Sequence, residues 1–298
     1  MRSLLNKDFS LKKKVVHFYR KMECRRCVKR TYENISKLWD CFEVPSEKKI
    51  RYNRPDATET FVIRVLALKY AVLSLAVDCE EGPEKFLYAG LFKNITNTIF
   101  SIMRLAENGL DYQAMSLIRN LFELYMILIV TTSSTEKRKE FIAAHEPEDS
   151  RVVWHRYFTK TKFLKAMKEY CTGREDLEKA ADIFQTWIDD NYSELSSFVH
   201  NDYVNIVCGS LSQNDLNGYS HPNIWGEYVT WRKRIYNQLF IVAWPSDLIF
   251  SYMLRDPSVE MSLEEILSRE VKTHIKEALD KLETLALDIG MPHINGLA

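Results

Sequence analysis

The chain predicts an all-α fold, a helical bundle of about eight to ten helices with a basic N-terminal helical arm in front of it. Three observations carry this expectation. The 298 residues include only 9 Gly and 8 Pro, which favours long elements over tight turns. Apolar residues recur at helical spacing through most of the chain. No alternating pattern lasts more than a few residues, and VNIVCGS at 204–210 is the only strand candidate. No internal repeat of fixed period is present.

Residues 1–54 hold 16 Lys+Arg against 6 Asp+Glu, and the remainder 25 against 35, so a formal net charge of +0 conceals a basic arm and an acidic body. Within the arm, Val15, Tyr19, Met22, Tyr32, Ile35, Leu38, Trp39 and Phe42 keep helical spacing on an otherwise Lys- and Arg-rich surface. Such an arm suits RNA or another nucleic acid, or anionic lipid, or else the acidic body of its own or a sister chain. Residues 43–57 hold two prolines without apolar periodicity and read as a linker, dividing an arm (1–54) from a bundle domain (55–298).

The bundle helices follow in order. Asp56 and Glu59 form a capping box that opens a helix to about Asp78, with Phe61, Val65, Leu68, Val72 and Leu75 on one face. A helix from Glu84 to Glu107 ends at Asn108-Gly109. Asp111 to Val130 comes next, and the short turns make these three helices antiparallel neighbours. A Ser133/Glu136 box precedes a short helix, and another helix spans about 151–170. Two further helices cover about 175–189 and 191–199, the second opened by Asn191 and Glu194. Residues 209–223 concentrate Gly, Ser, Asn and Pro and read as a long loop. A helix with a kink at Pro245 runs from Ile224 to Leu254, and a last one from Ser262 to Asp288 stops before Gly290.

Function rests on charges placed in apolar surroundings. The helix DYQAMSLIRNLFELYMILIV carries Arg119, Asn120 and Glu123 within its most hydrophobic stretch, and Ser116 lies near Arg119 on the same side. Desolvating an ion costs several kcal/mol, so such a notch needs partners. Asn94, Asn97, Thr98 and Ser101 on the preceding helix, and Ser193, Ser196, Ser197 and His200 downstream, form two uncharged polar stripes that could close over it. In the functional reading Glu123 tunes His200 as an acid-base group and Arg119 binds an anion. In the other reading the same residues form an internal salt bridge with a hydrogen-bonded histidine that sets helix register.

No phosphate loop, nucleophile elbow or His-Glu-x-x-His motif is present, so no cofactor is expected. Cys24 and Cys27, with His17 and Cys41, supply one close ligand pair where structural zinc sites use two, and no metal is assigned. Trp225, Tyr228, Trp231, Arg232, Lys233, Arg234 and Tyr236 interleave aromatic and basic residues, as single-strand binders and packing stripes both do. Scattered cysteines and a start without an apolar leader point to a reducing cytoplasm. The nearest approach to a membrane span, 235–254, is interrupted by polar residues, so no membrane partner is expected.

The phrase AMSLIRNLFELYMIL, followed downstream by LSSFVHND with Ser196 and His200, resembles an uncharacterised family of bacterial all-helical proteins over residues 60–255. That resemblance implies a helical fold and brings no activity. More loosely, Arg119-Asn120 is similar to the Arg-led motif of HEPN domains, helical bundles of toxins and defence nucleases whose motif continues to a His after four to six intervening residues and is paired across a dimer. Here Leu124, Tyr125 and Met126 occupy that window, leaving His200 as the available histidine. The sequence therefore supports two expectations. One is an RNA-directed HEPN-like nuclease or toxin using Arg119, Glu123 and His200, with Ser116, Asn120, Asn97, Ser101 and Ser196 in support. The other is a non-catalytic interaction or self-assembly module with a structural polar seam. A homo-oligomer such as a dimer is expected.

Overall fold

The computed structural model describes residues 55–77, 82–200, 211–213, 220–222, 232–259, 266 and 272–295. The arm at 1–54, the strand candidate at 204–210 and the aromatic-basic run before Arg232 lie outside them. So do Cys24, Cys27, Cys41, Cys79 and Cys208. The fold is all-α. Nine helices are present among the described residues: α1 (Ala57–Ala76), α2 (Pro83–Glu107), α3 (Asp111–Ser133), α4 (Thr135–Ala143), α5 (Pro147–Tyr157), α6 (Lys160–Cys171), α7 (Glu175–His200), α8 (Arg232–Met253) and α9 (Lys272–Asn295).

Helices α1, α2, α3 and α8 form the centre, α7 packs against both α3 and α8, and α9 lies along α1. Cross-helix bonds set the directions. Asn237 donates to Glu59 at 2.9 Å and Lys69 to Asp247 at 2.9 Å, so α1 and α8 run parallel. Arg232 near the start of α8 reaches Glu107 at the end of α2, whereas Arg234 and Gln238 meet Glu194 and Asn191 of α7 in reverse order. Hence α7 runs against α8. One end of the bundle thus gathers the start of α1, the α2–α3 turn, the end of α7 and the start of α8.

Helix α1 is covered by α2, α8 and α9, which is why its apolar residues are buried nearly all round and not along one face. Leu75, expected on that face, is exposed. Asp56 caps α1, accepting from the amides of Thr58 (2.7 Å) and Glu59 (3.2 Å), and the Glu59 carboxylate accepts from Asn237. Gly109, at φ 70, supplies the left-handed residue after α2. The cap of α4 is Ser134, which accepts from the Lys137 amide, while Ser133 is the last residue of α3 and bonds back to Val130.

The single helix expected over 151–170 is two, because Phe158 leaves the helical path to bury its ring against Phe141 and Trp154. Conversely, α7 is one helix where two were expected. Asn191 bonds to the Trp187 carbonyl and to Gln238, so its side chain serves packing and caps nothing. The expected loop at 209–223 contains a short antiparallel pair, Leu211–Gln213 with Ser220–Pro222. Pro245 lies inside α8. Gly290 does not end α9, which continues to Asn295; a Cβ there would stand 2.9 Å from the Trp244 ring, so the glycine admits that ring.

Of the described helices, α3 is the one long and apolar enough to cross a membrane, rather than the 235–254 stretch. It is mostly buried by its neighbours, as the core helix of a bundle is.

Candidate functional site

Arg119 lies midway along α3, on the side that meets α7. Its Nε donates to Glu123 Oε1 at 3.1 Å, the i,i+4 geometry read from the sequence. Across the helix boundary its Nη2 donates to the Tyr192 hydroxyl at 3.4 Å, and the guanidinium carbon stands 5.1 Å from the centre of that ring. The ring also packs edge-on against Phe122, and Lys160 approaches it at 5.8 Å while bonding Asp189 at 2.9 Å. Two cations and two carboxylates therefore surround Tyr192. The patch is close to neutral and half-buried rather than a concentrated anion site.

The supporting serines turn inward on their own helices. Ser116 donates to the Tyr112 carbonyl at 3.1 Å and Ser196 to the Tyr192 carbonyl at 2.7 Å. Asn120 is exposed, as are Asn94 and Asn97, and Ser101 is half-buried. The α2 stripe thus faces outward and does not close over Arg119. The reason is that Tyr88, Phe92, Ile95, Ile99 and Ile102 claim the inner face of α2.

The residue that meets Arg119 is Tyr192, and helix direction decides this. Phe122, one turn beyond Arg119, packs on Phe184 and Trp187, which precede Tyr192, so α3 and α7 are antiparallel. His200 is then two turns beyond Tyr192, ~12 Å along α7, toward the start of α3. Glu123 is one turn, ~6 Å, on the opposite side of Arg119. The described backbone brings Arg119, Glu123 and Tyr192 together and sets His200 apart from Glu123. The His200 side chain lies outside the described residues.

Two polar clusters escaped sequence reading. At the centre of the bundle Lys69 Nζ bonds both Asp247 oxygens (2.9 and 3.0 Å) and Ser251 Oγ (2.5 Å). Burial pushes the Tyr70 hydroxyl well above its ordinary value, with Asp247 and Tyr125 adding to it, and burial followed by the Asp247 charge raises Tyr125 against an opposing effect of the Tyr70 hydroxyl. At the end where α2 and α8 meet, Glu107 accepts from Arg232 (2.6 Å) and Tyr236 (2.8 Å), and burial followed by the Glu107 charge raises the Tyr236 hydroxyl. The signal was available, since Lys69 and Asp247 are charges set in apolar stretches of their helices, as Arg119 is. Among the described residues no group of three or more His, Cys, Asp or Glu is gathered as metal ligands.

Residues 85–196 match the model of a family of unknown function, DUF5677. No curated protein and no solved structure matches the chain. The DUF5677 match is narrower than the span of 60–255 read from the sequence. It takes in Arg119, Glu123, Tyr192 and Ser196 and stops short of His200. Lys69 and Asp247 also fall outside it. The HEPN similarity has no counterpart in these comparisons.

Proposed function

We propose that this chain is a non-catalytic helical interaction module in which Arg119 clamps α7 onto α3. The observation that carries the reading is the engagement of the guanidinium within the bundle, through Nε to Glu123 and through Nη2 and the ring face to Tyr192. A catalytic arginine needs its charge directed at the substrate. Here the Arg119 Nε and Nη2 are directed at Glu123 and Tyr192, and Lys160 pairs with Asp189 beside them.

The test uses the full chain and single-stranded RNA. The expected result is no cleavage by the wild type, a lowered thermal midpoint for Arg119→Ala and Tyr192→Leu, and an unchanged midpoint for His200→Ala. Cleavage that His200→Ala abolishes without loss of stability would overturn the proposal. It would instead support an HEPN-like nuclease with the basic arm at 1–54 as its RNA-holding surface.

A further inference from the structure

Four tyrosines are fully buried among the described residues, and their hydroxyls are not served alike. Tyr88 meets the Thr132 hydroxyl at 3.3 Å, and Tyr236 donates to Glu107 at 2.8 Å. The hydroxyls of Tyr70 and Tyr125 make no direct hydrogen bond, although both are shut off from solvent. Burying a hydroxyl without a partner is unfavourable, so such groups in a packed core nearly always have one.

The two lie side by side. The Tyr70 ring of α1 and the Tyr125 ring of α3 meet edge-on, with centroids 5.7 Å apart. The Asp247 charge raises both hydroxyls and each hydroxyl acts on the other, so the two oxygens converge on the same carboxylate of α8. Phe92 and Phe250 pack on the Tyr70 ring at 5.9 and 6.3 Å and close the site to bulk solvent.

Chemistry narrows what can answer both hydroxyls. Lys69 Nζ directs its three donors at the two Asp247 oxygens and at Ser251 Oγ, and so offers nothing further. Its charge disfavours a cation, and the Asp247 carboxylate disfavours an anion. Two phenols donate and Asp247 only accepts, so the ligand must accept twice and donate at least once. Water does this in the smallest volume, and about three hydrogen bonds is what a buried water commonly makes.

We infer that one water molecule is bound at the centre of the bundle, accepting from Tyr70 and Tyr125 and donating to Asp247. It joins α1, α3 and α8 at a single point. Tyr125 lies within the DUF5677 match whereas Tyr70 and Asp247 lie outside it, so the water ties α3 to two helices that the match does not include. The inference is independent of the interaction-module reading.

Two measurements on the full chain test it. A crystal structure of the wild type should show one water about 2.5–3.0 Å from both hydroxyls and from an Asp247 oxygen. In solution, nuclear magnetic relaxation dispersion of water counts the molecules held for long times inside a fold. Tyr70→Phe combined with Tyr125→Phe leaves the water with Asp247 alone and should lower that count by one. Tyr88→Phe removes a hydroxyl that already has Thr132 and should leave the count unchanged. A Tyr70 hydroxyl bonded straight to Asp247 with no water between them, or a count that the double variant leaves intact, would overturn the inference. Should the double variant not fold, the wild-type crystal structure decides the matter alone.

Discussion

Removing Asp247 is the most informative single perturbation of the core. Lys69 and Asp247 expose only 4% and 2% of their side chains, and Lys69 Nζ has Asp247 and Ser251 as its hydrogen-bond partners. Asp247→Ala leaves an ammonium in the bundle centre with one neutral partner. Breaking a buried pair from one side costs about 3–5 kcal/mol. At roughly 2–4 °C per kcal/mol for a domain of this size, the thermal midpoint should fall by about 6–20 °C. Lys69→Met combined with Asp247→Leu removes both charges and keeps the volume, and such replacements are often neutral or stabilising. The assay is a double-mutant cycle by urea denaturation, with Lys69→Met and Asp247→Leu as its two single-variant corners. If the double variant is destabilised by the sum of the two singles, the two charges are not coupled and the account of this cluster fails.

Two further outcomes follow from the packing. Burial raises the hydroxyls of Tyr70, Tyr88, Tyr125 and Tyr236, so the folded chain holds these protons more tightly than the unfolded one. The resulting stabilisation is fully present below the unfolded tyrosine value near 10 and is lost as pH rises beyond it. The unfolded chain gives up these protons first, so stability should fall between pH 10 and 11. Urea midpoints that stay level across that interval would contradict this. Gly290→Ala places a Cβ 2.9 Å from the Trp244 ring. Overpacking of ~1–3 kcal/mol should outweigh the ~1 kcal/mol gained in helix propensity and lower the thermal midpoint, and a rise would show that the ring can retreat.

Local chemistry was legible wherever it depends on neighbours in sequence. The Asp56 cap, the Asn108-Gly109 stop and the Arg119–Glu123 pair were all read from spacing, because each is set within one or two turns. Breaks were misread where a side chain had a better partner elsewhere. Asn191 resembles a cap in sequence, but Gln238 of α8 engages it and α7 continues. Gly290 resembles a stop, but Trp244 occupies the space it leaves.

The sequence by itself determined that this protein is helical, where most helices lie, and that Arg119 sits in an apolar helix with Glu123 beside it. These follow from periodicity and propensity, which act along the chain. Only the tertiary structure decided what meets what. The antiparallel course of α3 and α7 brings Tyr192 to Arg119 and sets His200 apart from Glu123, and the parallel course of α1 and α8 joins Lys69 to Asp247 across 178 residues. Helix direction and rotation about the axis are fixed by the whole core at once, and no local pattern in the chain encodes them.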